Sequence, residues 1–329
     1  MMIKDSSPIP HPSSLSLNAP AKINWFLNVL GLRDDGFHEI LSLMQKISLY
    51  DMLTFSPSND LTLQSDTSIP VEQNLVYRAA LLLKSTCGID KGALITLNKN
   101  IPAGAGLGGG SSDAASTLLG LNKLWSLNLS TGYLCNIAEQ LGSDVPFFLY
   151  GPIASSHGRG EKITPCKIKK TTNLLIVKPP FPVSTAWVYG EYKNRIQNAG
   201  HRIQAEDKKT VIWEDSSKKY PNSQAYAKLS ELTKKDNEAD NIDYFIRLIE
   251  KAEFGDLADI LTNDLESVTI KRFPVISEIK NRLKEQGAIF SIMSGSGPAV
   301  FGIFRSAEEA EKASRAFEGY WTMAVQTLI

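Results

Sequence analysis

IPAGAGLGGGSSDAA, at residues 101–115, decides the fold of this 329-residue chain more than any other stretch. Five of the seven residues from Gly104 to Gly110 are glycine, and a predicted helix follows them. Glycines allow an anion to approach backbone N–H groups closely, and the first turn of a helix adds unpaired N–H groups and the positive end of the helix dipole. The stretch therefore predicts a phosphate-binding loop.

The flanks and the spacing separate this loop from other glycine-rich segments. Gly104, Gly106 and Gly109 match G-x-G-x-x-G, but a dinucleotide-binding unit needs an acid about 20 positions later, and residues 114–138 contain no Asp or Glu. No lysine directly follows the glycines as in a P-loop, and no V-A-I-K or H-R-D segment indicates a protein kinase. A flexible Gly/Ser linker is the remaining alternative, and the strand pattern at 93–97 and the helix pattern at 114–124 argue against it.

Composition indicates an ordinary soluble globular protein, with 43% hydrophobic and 21% charged residues and a formal net charge of zero. We expect neither nucleic acid nor a membrane as partner, since no stretch approaches the roughly 20 apolar residues of a membrane span. The three isolated cysteines are typical of a cytoplasmic protein without a zinc site or disulfides. Residues 1–16 are expected to be a flexible tail and not a signal peptide.

Apolar periodicity and turn residues predict both strands and helices. Strands are expected as a pair within 15–32 interrupted at 18–22, over 37–55, over 173–177, and on both sides of a glycine turn within 289–304. Helices are predicted over 74–86, 130–141, 253–268 and 275–285. The charged segment from 189 to 240 is interpreted as solvated surface or a partly ordered insertion, because its interleaved acids argue against a nucleic-acid patch.

A few residues are candidates for chemistry. Asp144 precedes an apolar run, so it either caps the next element or pairs with a cation that keeps it ionised as a base. Lys22 is the candidate cation, and an ordinary surface lysine is the alternative. His38, taken singly, is expected to be a loop histidine. The turn Gly295-Ser296-Gly297 is either a plain hairpin or a second backbone surface facing the glycine loop. These patterns predict a phosphate- or nucleotide-binding enzyme and leave its substrate open.

Three segments, in this order, resemble the motifs of the GHMP kinase family. They are PAKIN at 20–24, PAGAGLGGGSS at 102–112 and MSGSGP at 293–298. Four more segments make the resemblance closer to members that act on a cytidyl substrate: RDDGFH at 33–38, GSDVPFF at 142–148, GRGE at 158–161 and NDLE at 263–266. The match spans about residues 17–304.

The resemblance implies an α+β, two-domain GHMP kinase fold with the active site in the interdomain cleft. The expected domains are an ATP-binding N-terminal domain at 17–165 and a C-terminal domain at 166–329, with a charged insertion around 194–240. The implied reaction uses ATP with Mg²⁺ to phosphorylate the 2-hydroxyl of 4-diphosphocytidyl-2-C-methyl-D-erythritol, in the non-mevalonate (methylerythritol phosphate) isoprenoid pathway. The implied partner is this small molecule, and the chain is expected to be a monomer or a homodimer.

Site residues are implied in the same way. Lys22 and Asp144 match the catalytic pair. Asn24, Phe37 and His38 match substrate-binding positions, and Tyr189 is the candidate for the second aromatic of a cytosine slot. The ATP-binding loop matches Pro102, Ala103, Gly104, Ala105, Gly106, Leu107, Gly108, Gly109, Gly110, Ser111 and Ser112, with Ser111 or Ser112 as candidate magnesium ligand.

Two residues depart from the family pattern. The family often has tyrosine at Phe37, where a phenylalanine keeps the stacking ring without the hydroxyl. It often has glycine at Ala105, where alanine is tolerated if φ is negative.

Two alternatives stay open at this point. Another GHMP kinase, of the homoserine or mevalonate type, would share the fold but would have no use for a cytosine slot at Phe37 and His38. A non-catalytic nucleotide-binding module would keep the glycine loop but would not need both Lys22 and Asp144.

Overall fold

The computed structural model describes residues 14–206, 238–254 and 260–329. Its strands are β1 (Leu15–Leu32), β2 (His38–Ser58), β3 (Leu61–Ser65), β4 (Gly92–Asn98), β5 (Ile153–His157), β6 (Lys162–Pro165), β7 (Asn173–Lys178), β8 (Phe290–Met293), β9 (Val300–Phe304) and β10 (Trp321–Gln326). Its helices are α1 (Leu75–Cys87), α2 (Gly109–Leu124), α3 (Thr131–Ala138), α4 (Val145–Phe148), α5 (Thr185–Glu206), α6 (Glu238–Lys251), α7 (Glu266–Arg272), α8 (Val275–Glu285) and α9 (Ala307–Ser314).

These elements fall into two compact units. The first unit contains residues 14–20, 50–101 and 109–149, and the second contains the described residues of 21–49, 102–108 and 150–329. The expected α+β class is confirmed, because strands and helices are both abundant and the sheets are largely antiparallel. The domain boundary expected near residue 165 stays a prediction.

The first unit packs helices against a small sheet. Strand β4 pairs antiparallel with the C-terminal half of β2 and parallel with β3. Helix α1 begins after Asn74, whose side chain accepts the N–H of Val76, and ends at Gly88 in the left-handed conformation. Helix α2 and β2 pack so closely that a Cβ at Gly120 would lie 2.4 Å from the ring of Phe55, which only glycine avoids. This packing fixes the helix that directly follows the glycine loop.

The second unit contains an antiparallel sheet in the order β10-β7-β9-β8. The N-terminal half of β2 pairs with β5, which pairs in turn with β6. Helix α8 buries Ile276, Ile279 and Leu283 in the core of this unit, and the predicted bounds of this helix, 275–285, are confirmed. Strands β8 and β9 confirm the strand-turn-strand predicted over 289–304, so the second glycine turn is held between two core strands.

The strand pair predicted within 15–32 is wrong, because β1 is one continuous strand of 18 residues. The prediction took the segment 18–22, which contains Asn18, Pro20 and Lys22, as a break. The side chain of Lys22 is instead buried and hydrogen-bonded, as is that of Asn24, so neither needs to end the strand to reach water.

The helix predicted over 253–268 is also wrong. Helix α6 ends at Lys251 and α7 begins only at Glu266, while residues 255–259 lie outside the described part. Asn263 interrupts the helix because its side chain accepts the N–H of Leu265 and its backbone forms a bridge with Leu27. This bend places Asn263 beside the second glycine turn.

The charged insertion expected around 194–240 falls largely outside the described residues, as does the tail expected at 1–16 apart from its last three residues. Residues 194–206 continue helix α5, and residues 238–240 begin α6. Among the helices of the described ranges, none combines the length and the apolarity that crossing a membrane requires.

Candidate functional site

The glycine loop of the second unit, residues 102–108, turns through three glycines with positive φ. The values are 60° at Gly104, 79° at Gly106 and 71° at Gly108, a region that side chains other than glycine rarely adopt. Ala105 is buried and is not among the residues with positive φ, so alanine fits there without strain. A Cβ on Gly106 would lie 2.2 Å from the carbonyl oxygen of Ser294. Glycine is therefore required both for the turn and for close packing.

Lys22 lies against this loop. Only 3% of Lys22 is exposed, so the surface-lysine alternative is wrong. Its Nζ donates to the carbonyl oxygen of Gly106 at 3.0 Å and to Oδ1 of Asn24 at 2.5 Å, and its backbone N–H donates to the carbonyl of Leu107 at 2.9 Å. The amide of Asn24 donates in turn to Ser42 at 2.8 Å. Strand β1 thus holds an ammonium group at the glycine loop.

The second glycine turn packs on the same loop. The hydroxyl of Ser294 donates to the carbonyl of Gly106 at 3.1 Å. A Cβ at Gly295, whose φ is 56°, would lie 3.3 Å from Nζ of Lys22. Asn263 holds the turn from its other side, since its amide donates to the carbonyls of Met293 at 2.8 Å and of Gly295 at 2.7 Å. The structure therefore brings together Lys22 and the two glycine segments that the sequence could only place separately.

Ser296 and Gly297 complete this turn. The hydroxyls of Ser296 and Thr185 lie 2.8 Å apart, which connects the turn to the first residue of helix α5. The backbone N–H of Gly297 donates to the carbonyl of Ser294 at 2.9 Å, and Gly297 has a φ of 81°. The turn is thus tied to the helix that carries Tyr189.

His38, the first residue of β2, is 8% exposed and is packed by aromatic rings. The ring centroid of Tyr189 lies 5.3 Å from that of His38, and the ring of Tyr192 lies 6.1 Å away in an edge-on arrangement. Burial, together with the nearby Lys193, lowers the pKa of His38 below its usual 6.5. This direction favours the neutral imidazole at pH 7, in which one nitrogen is a donor and the other an acceptor.

The sequence analysis gave no role to Tyr192, which contacts this histidine, or to Asp264, which acts electrostatically on Tyr192. Burial, reinforced by Asp264, raises the pKa of Tyr192 to about 12. Burial raises the pKa of Asp264 to about 6, although its carboxylate accepts the N–H of Val29 at 2.7 Å. Tyr192 follows Tyr189 by three residues on α5, and this spacing, which places both on one helix face, was the available signal.

Phe37, in contrast, is 52% exposed. It closes the turn between β1 and β2, where its backbone N–H donates to Asp35 at 3.1 Å. The guanidinium carbon of Arg159 lies over the ring of Phe37, 4.8 Å from its centroid. A phenylalanine with this much exposed ring is a surface on which a planar ligand can stack.

Asp144 and the start of helix α2 belong to the first unit. Asp144 is half-buried and occupies the N-cap position of α4, so the next element does begin at this residue, but its side chain accepts no capping hydrogen bond. Pro102 and Ala103 lead into the glycine turn, and Gly109, Gly110, Ser111 and Ser112 form the first turn of α2. Ser112 is fully buried, and its hydroxyl finds no hydrogen-bond partner within the part of the chain that the structure describes.

A buried ionic cluster lies beside the first turn of α2. Nζ of Lys99 contacts the carboxylates of both Asp51 and Asp113, at 2.6 Å in the second case. Asp51 is fully buried and also accepts the backbone N–H groups of Asn100 and Ile101 at 2.6 and 2.8 Å. One ammonium group is thus paired with two carboxylates. Burial raises the pKa of Asp113 to about 7, although the charge of Lys99 opposes this shift.

This cluster makes a prediction for the pH dependence of stability. Because the pKa of Asp113 is raised in the folded state from 3.8 to about 7, the folded protein binds a proton more tightly than the unfolded chain. The stabilisation that this proton gives to the folded state is fully present below pH 3.8 and is lost as the pH rises to about 7. In Asp113→Asn this decline should disappear, so the variant gains free energy of unfolding relative to wild type between pH 5 and pH 8, measured by denaturant titration.

The matched control is Asp60→Asn, which removes an exposed carboxylate of the same unit. Its stability should follow the wild-type pH profile. If the profile of Asp113→Asn also runs parallel to that of wild type from pH 5 to pH 8, Asp113 does not titrate in this window and the assignment is wrong.

Comparison with known protein families matches both parts of the chain. Residues 74–152 match the model of the GHMP kinases N terminal domain, and residues 245–322 match that of the GHMP kinases C terminal domain. The first match contains the first turn of α2 and Asp144, and the second contains the turn at 295–297. Two of the three resembling segments, at 102–112 and 293–298, lie within these matched ranges.

Relatives align with nearly the whole chain. The 4-diphosphocytidyl-2-C-methyl-D-erythritol kinase of Thermodesulfovibrio yellowstonii is 42% identical over 96% of this chain and 98% of its own length. The enzyme of the same name from Pelotomaculum thermopropionicum is 40% identical over 91% of this chain and 92% of its own.

Solved structures give the same picture for the fold. A crystal structure of 4-(cytidine 5'-diphospho)-2C-methyl-D-erythritol kinase superposes with a TM-score of 0.72, at 29% identity, over 96% of this chain and 100% of the other. The homoserine kinase of Cytophaga hutchinsonii superposes with a TM-score of 0.65 at 17% identity, over 99% of this chain and 98% of the other. At that identity the second likeness shows the fold alone.

Proposed function

Because the chain belongs to the family of 4-diphosphocytidyl-2-C-methyl-D-erythritol kinases, we propose that it transfers the γ-phosphoryl group of ATP to the 2-hydroxyl of that cytidyl substrate, in the methylerythritol phosphate route to isoprenoids. The observation that carries the proposal is the buried ammonium of Lys22 at the carbonyl of Gly106, beside the second glycine turn. A lysine held at a glycine loop suits a site for phosphate, because the loop presents backbone N–H groups and the lysine adds positive charge.

The glycine loop is proposed to hold the polyphosphate of ATP. The backbone from Gly104 to Gly108 offers N–H groups, and the first turn of the 16-residue helix α2, which follows directly along the chain, would add its own N–H groups and the positive end of its dipole. No Walker lysine follows the glycines, so backbone donors take the larger part in binding. Pro102, Ala103 and the residues from Gly109 to Ser112 complete this proposed ATP site.

Magnesium is proposed to be held at the first turn of α2. Both serines offer the oxygen donor that Mg²⁺ prefers, and Ser112 is favoured over the partly exposed Ser111 because its buried hydroxyl has no hydrogen-bond partner among the described residues. When bound, the ion neutralises charge on the β- and γ-phosphates.

The phosphoryl transfer itself needs a base and a cation. The 2-hydroxyl oxygen attacks the γ-phosphorus, the bond from this phosphorus to the bridging oxygen of ADP breaks, and the hydroxyl proton passes to the carboxylate of Asp144. Lys22 stabilises the negative charge of the transferred group. Asn24 keeps Lys22 in place through the 2.5 Å hydrogen bond between their side chains.

Phe37, His38 and Tyr189 are proposed to bind the cytosine. The exposed ring of Phe37 offers a stacking face, and the neutral imidazole of His38 can donate to and accept from the edge of the base. Tyr189 is proposed as the second aromatic of the slot and already contacts the imidazole ring. This slot is the feature that a kinase of homoserine or mevalonate would not need.

The test is coupled ADP release with ATP, Mg²⁺ and one acceptor at a time: the cytidyl substrate, homoserine or mevalonate. We expect ADP release with the cytidyl substrate alone, and CDP should compete with it. Release with homoserine or mevalonate instead would keep the phosphate site and overturn the cytosine slot. Absence of release with all three would favour the non-catalytic module.

A further inference from the structure

Two neighbouring turns of the second unit are tied together by charged side chains. Glu39 accepts the backbone N–H of Gly158 at 2.9 Å and the guanidinium of Arg33 at 2.7 Å. Glu161 accepts the backbone N–H of Arg159 at 2.6 Å. The backbone of Ile40 donates to the carbonyl of Gly158 at 2.8 Å. These contacts fix the turn at 157–161 against the start of β2, and so against the turn that carries Phe37.

Arg159 leaves this turn and covers Phe37. Its guanidinium carbon is 4.8 Å from the ring centroid, within the range of a cation–π contact. The charge of Arg159 is only loosely paired, since its nearest carboxylate oxygen, on Glu161, lies 3.9 Å from Nε. Among the described residues, the guanidinium donates no hydrogen bond to the protein. The ring of Phe37 and the carboxylate of Glu161 are therefore the contacts that place this side chain.

The exposure of Phe37 shows that one surface of its ring remains open. About half of the residue, 52%, is accessible although the guanidinium lies over the ring. A ring on an exposed turn would otherwise rotate among several rotamers, and ordering it when a ligand binds costs about 0.5–1.5 kcal/mol for a flexible side chain. A cation on the covered face lowers that cost by restricting the ring in advance.

We propose that Arg159 is a positioning residue of the substrate site, which holds Phe37 by its covered face so that the open face is oriented for the cytosine. The inference rests on the proposed function and extends it to a residue to which the resemblance gave no role. Arg159 touches the ring and not the base, so it contributes to the KM for the cytidyl substrate and leaves the transfer step alone.

The test compares Arg159→Met, which keeps the length of the side chain without its charge, with Arg159→Lys, which keeps the charge. We expect Arg159→Met to raise the KM for the cytidyl substrate about three- to tenfold, while kcat and the KM for ATP stay within about twofold. Arg159→Lys should restore most of the affinity. Arg305→Met, which removes an exposed arginine of the same unit, should leave all three constants unchanged.

A double-mutant cycle separates positioning from direct contact. In a Phe37→Leu background there is no ring for the guanidinium to hold, so Arg159→Met should change the KM for the cytidyl substrate by less than about twofold. An equal loss in both backgrounds would mean that Arg159 contacts the substrate itself, which overturns the positioning role. An unchanged KM in the single variant, with thermal unfolding confirming its fold, would overturn it as well.

Failure of the proposed function can be distinguished from failure of the inference about Arg159. If wild type does not turn over the cytidyl substrate, the function is wrong and the inference falls with it. If wild type is active and binds CMP, but Arg159→Met binds CMP with unchanged affinity, the function stands and the inference alone is wrong.

Discussion

Lys22→Met is expected to lower kcat with the cytidyl substrate by about 10²- to 10³-fold, the size typical of losing one preorganised electrostatic group. The ammonium is 3% exposed and lies at the carbonyl of Gly106, so no solvent cation can take its place easily. Methionine fills a similar volume without the charge. The substitution also leaves Oδ1 of Asn24 without this donor, which adds to the loss. Steady-state kinetics with saturating ATP measures the effect.

Lys46→Met is the matched control for this variant. Lys46 is also a partly buried lysine of the second unit that donates to a backbone carbonyl, that of Tyr150 at 2.8 Å, but it has no place in the proposed site. Its loss should change kcat by no more than a few-fold. A Lys22→Met variant that folds, as judged by thermal unfolding, and keeps a rate near wild type would contradict the role given to Lys22.

Asp144→Asn is expected to lower kcat by about 10²- to 10⁴-fold, the range over which a positioned general base contributes. Asparagine keeps the shape and the half-buried position before α4 but cannot accept the proton of the acceptor hydroxyl. ATP binding does not depend on the proton, so the dissociation constant for ATP should stay within a few-fold of wild type. Single-turnover kinetics and equilibrium titration with ATP separate the two quantities.

Glu139→Gln provides the comparison for this variant, because it neutralises an exposed acid that follows α3 in the same unit. We expect wild-type kinetics from it. If Asp144→Asn turns over the cytidyl substrate at the wild-type rate, Asp144 is not the base, and another group must receive the proton.

Local signals in the sequence predicted much of the secondary structure. Helices α1 and α8 carry a regular apolar stripe and turn or capping residues at their ends, so their bounds could be predicted within about one residue. Ser130 was also predicted correctly as the N-cap of α3, although this helix ends at Ala138 and not at 141. These features depend on neighbours within a few positions along the chain.

The errors arose where distant contacts decide the structure. Strand β1 continues through Lys22 because partners more than 80 residues away, at Gly106 and Leu107, satisfy its polar groups. The bend at Asn263 likewise depends on the carbonyls of Met293 and Gly295. Such partners cannot be inferred from periodicity, which reports only the local preference of a segment.

In the candidate site, too, local features could be predicted and contacts between distant segments could not. The glycine loop could be predicted because glycine is the residue type that readily adopts a positive φ, and three of the loop's glycines have a positive φ. The contact of Lys22 with this loop could not be predicted, since it joins a strand and a loop that lie far apart in the chain. Tyr192 and Arg159 were missed because an aromatic residue on a helix and an arginine in a turn are common surface residues until the rings they contact are known.

The most direct measurement is identification of the product by NMR after incubation of the protein with ATP, Mg²⁺ and the cytidyl substrate. The 2-C-methyl group makes the reacting alcohol tertiary, so a phosphate at this position couples its ³¹P nucleus to the carbon of that methyl group. We predict this coupling in a product formed together with an equal amount of ADP. A phosphate on any other hydroxyl, or ADP formation without a phosphorylated cytidyl product, would contradict the proposed function.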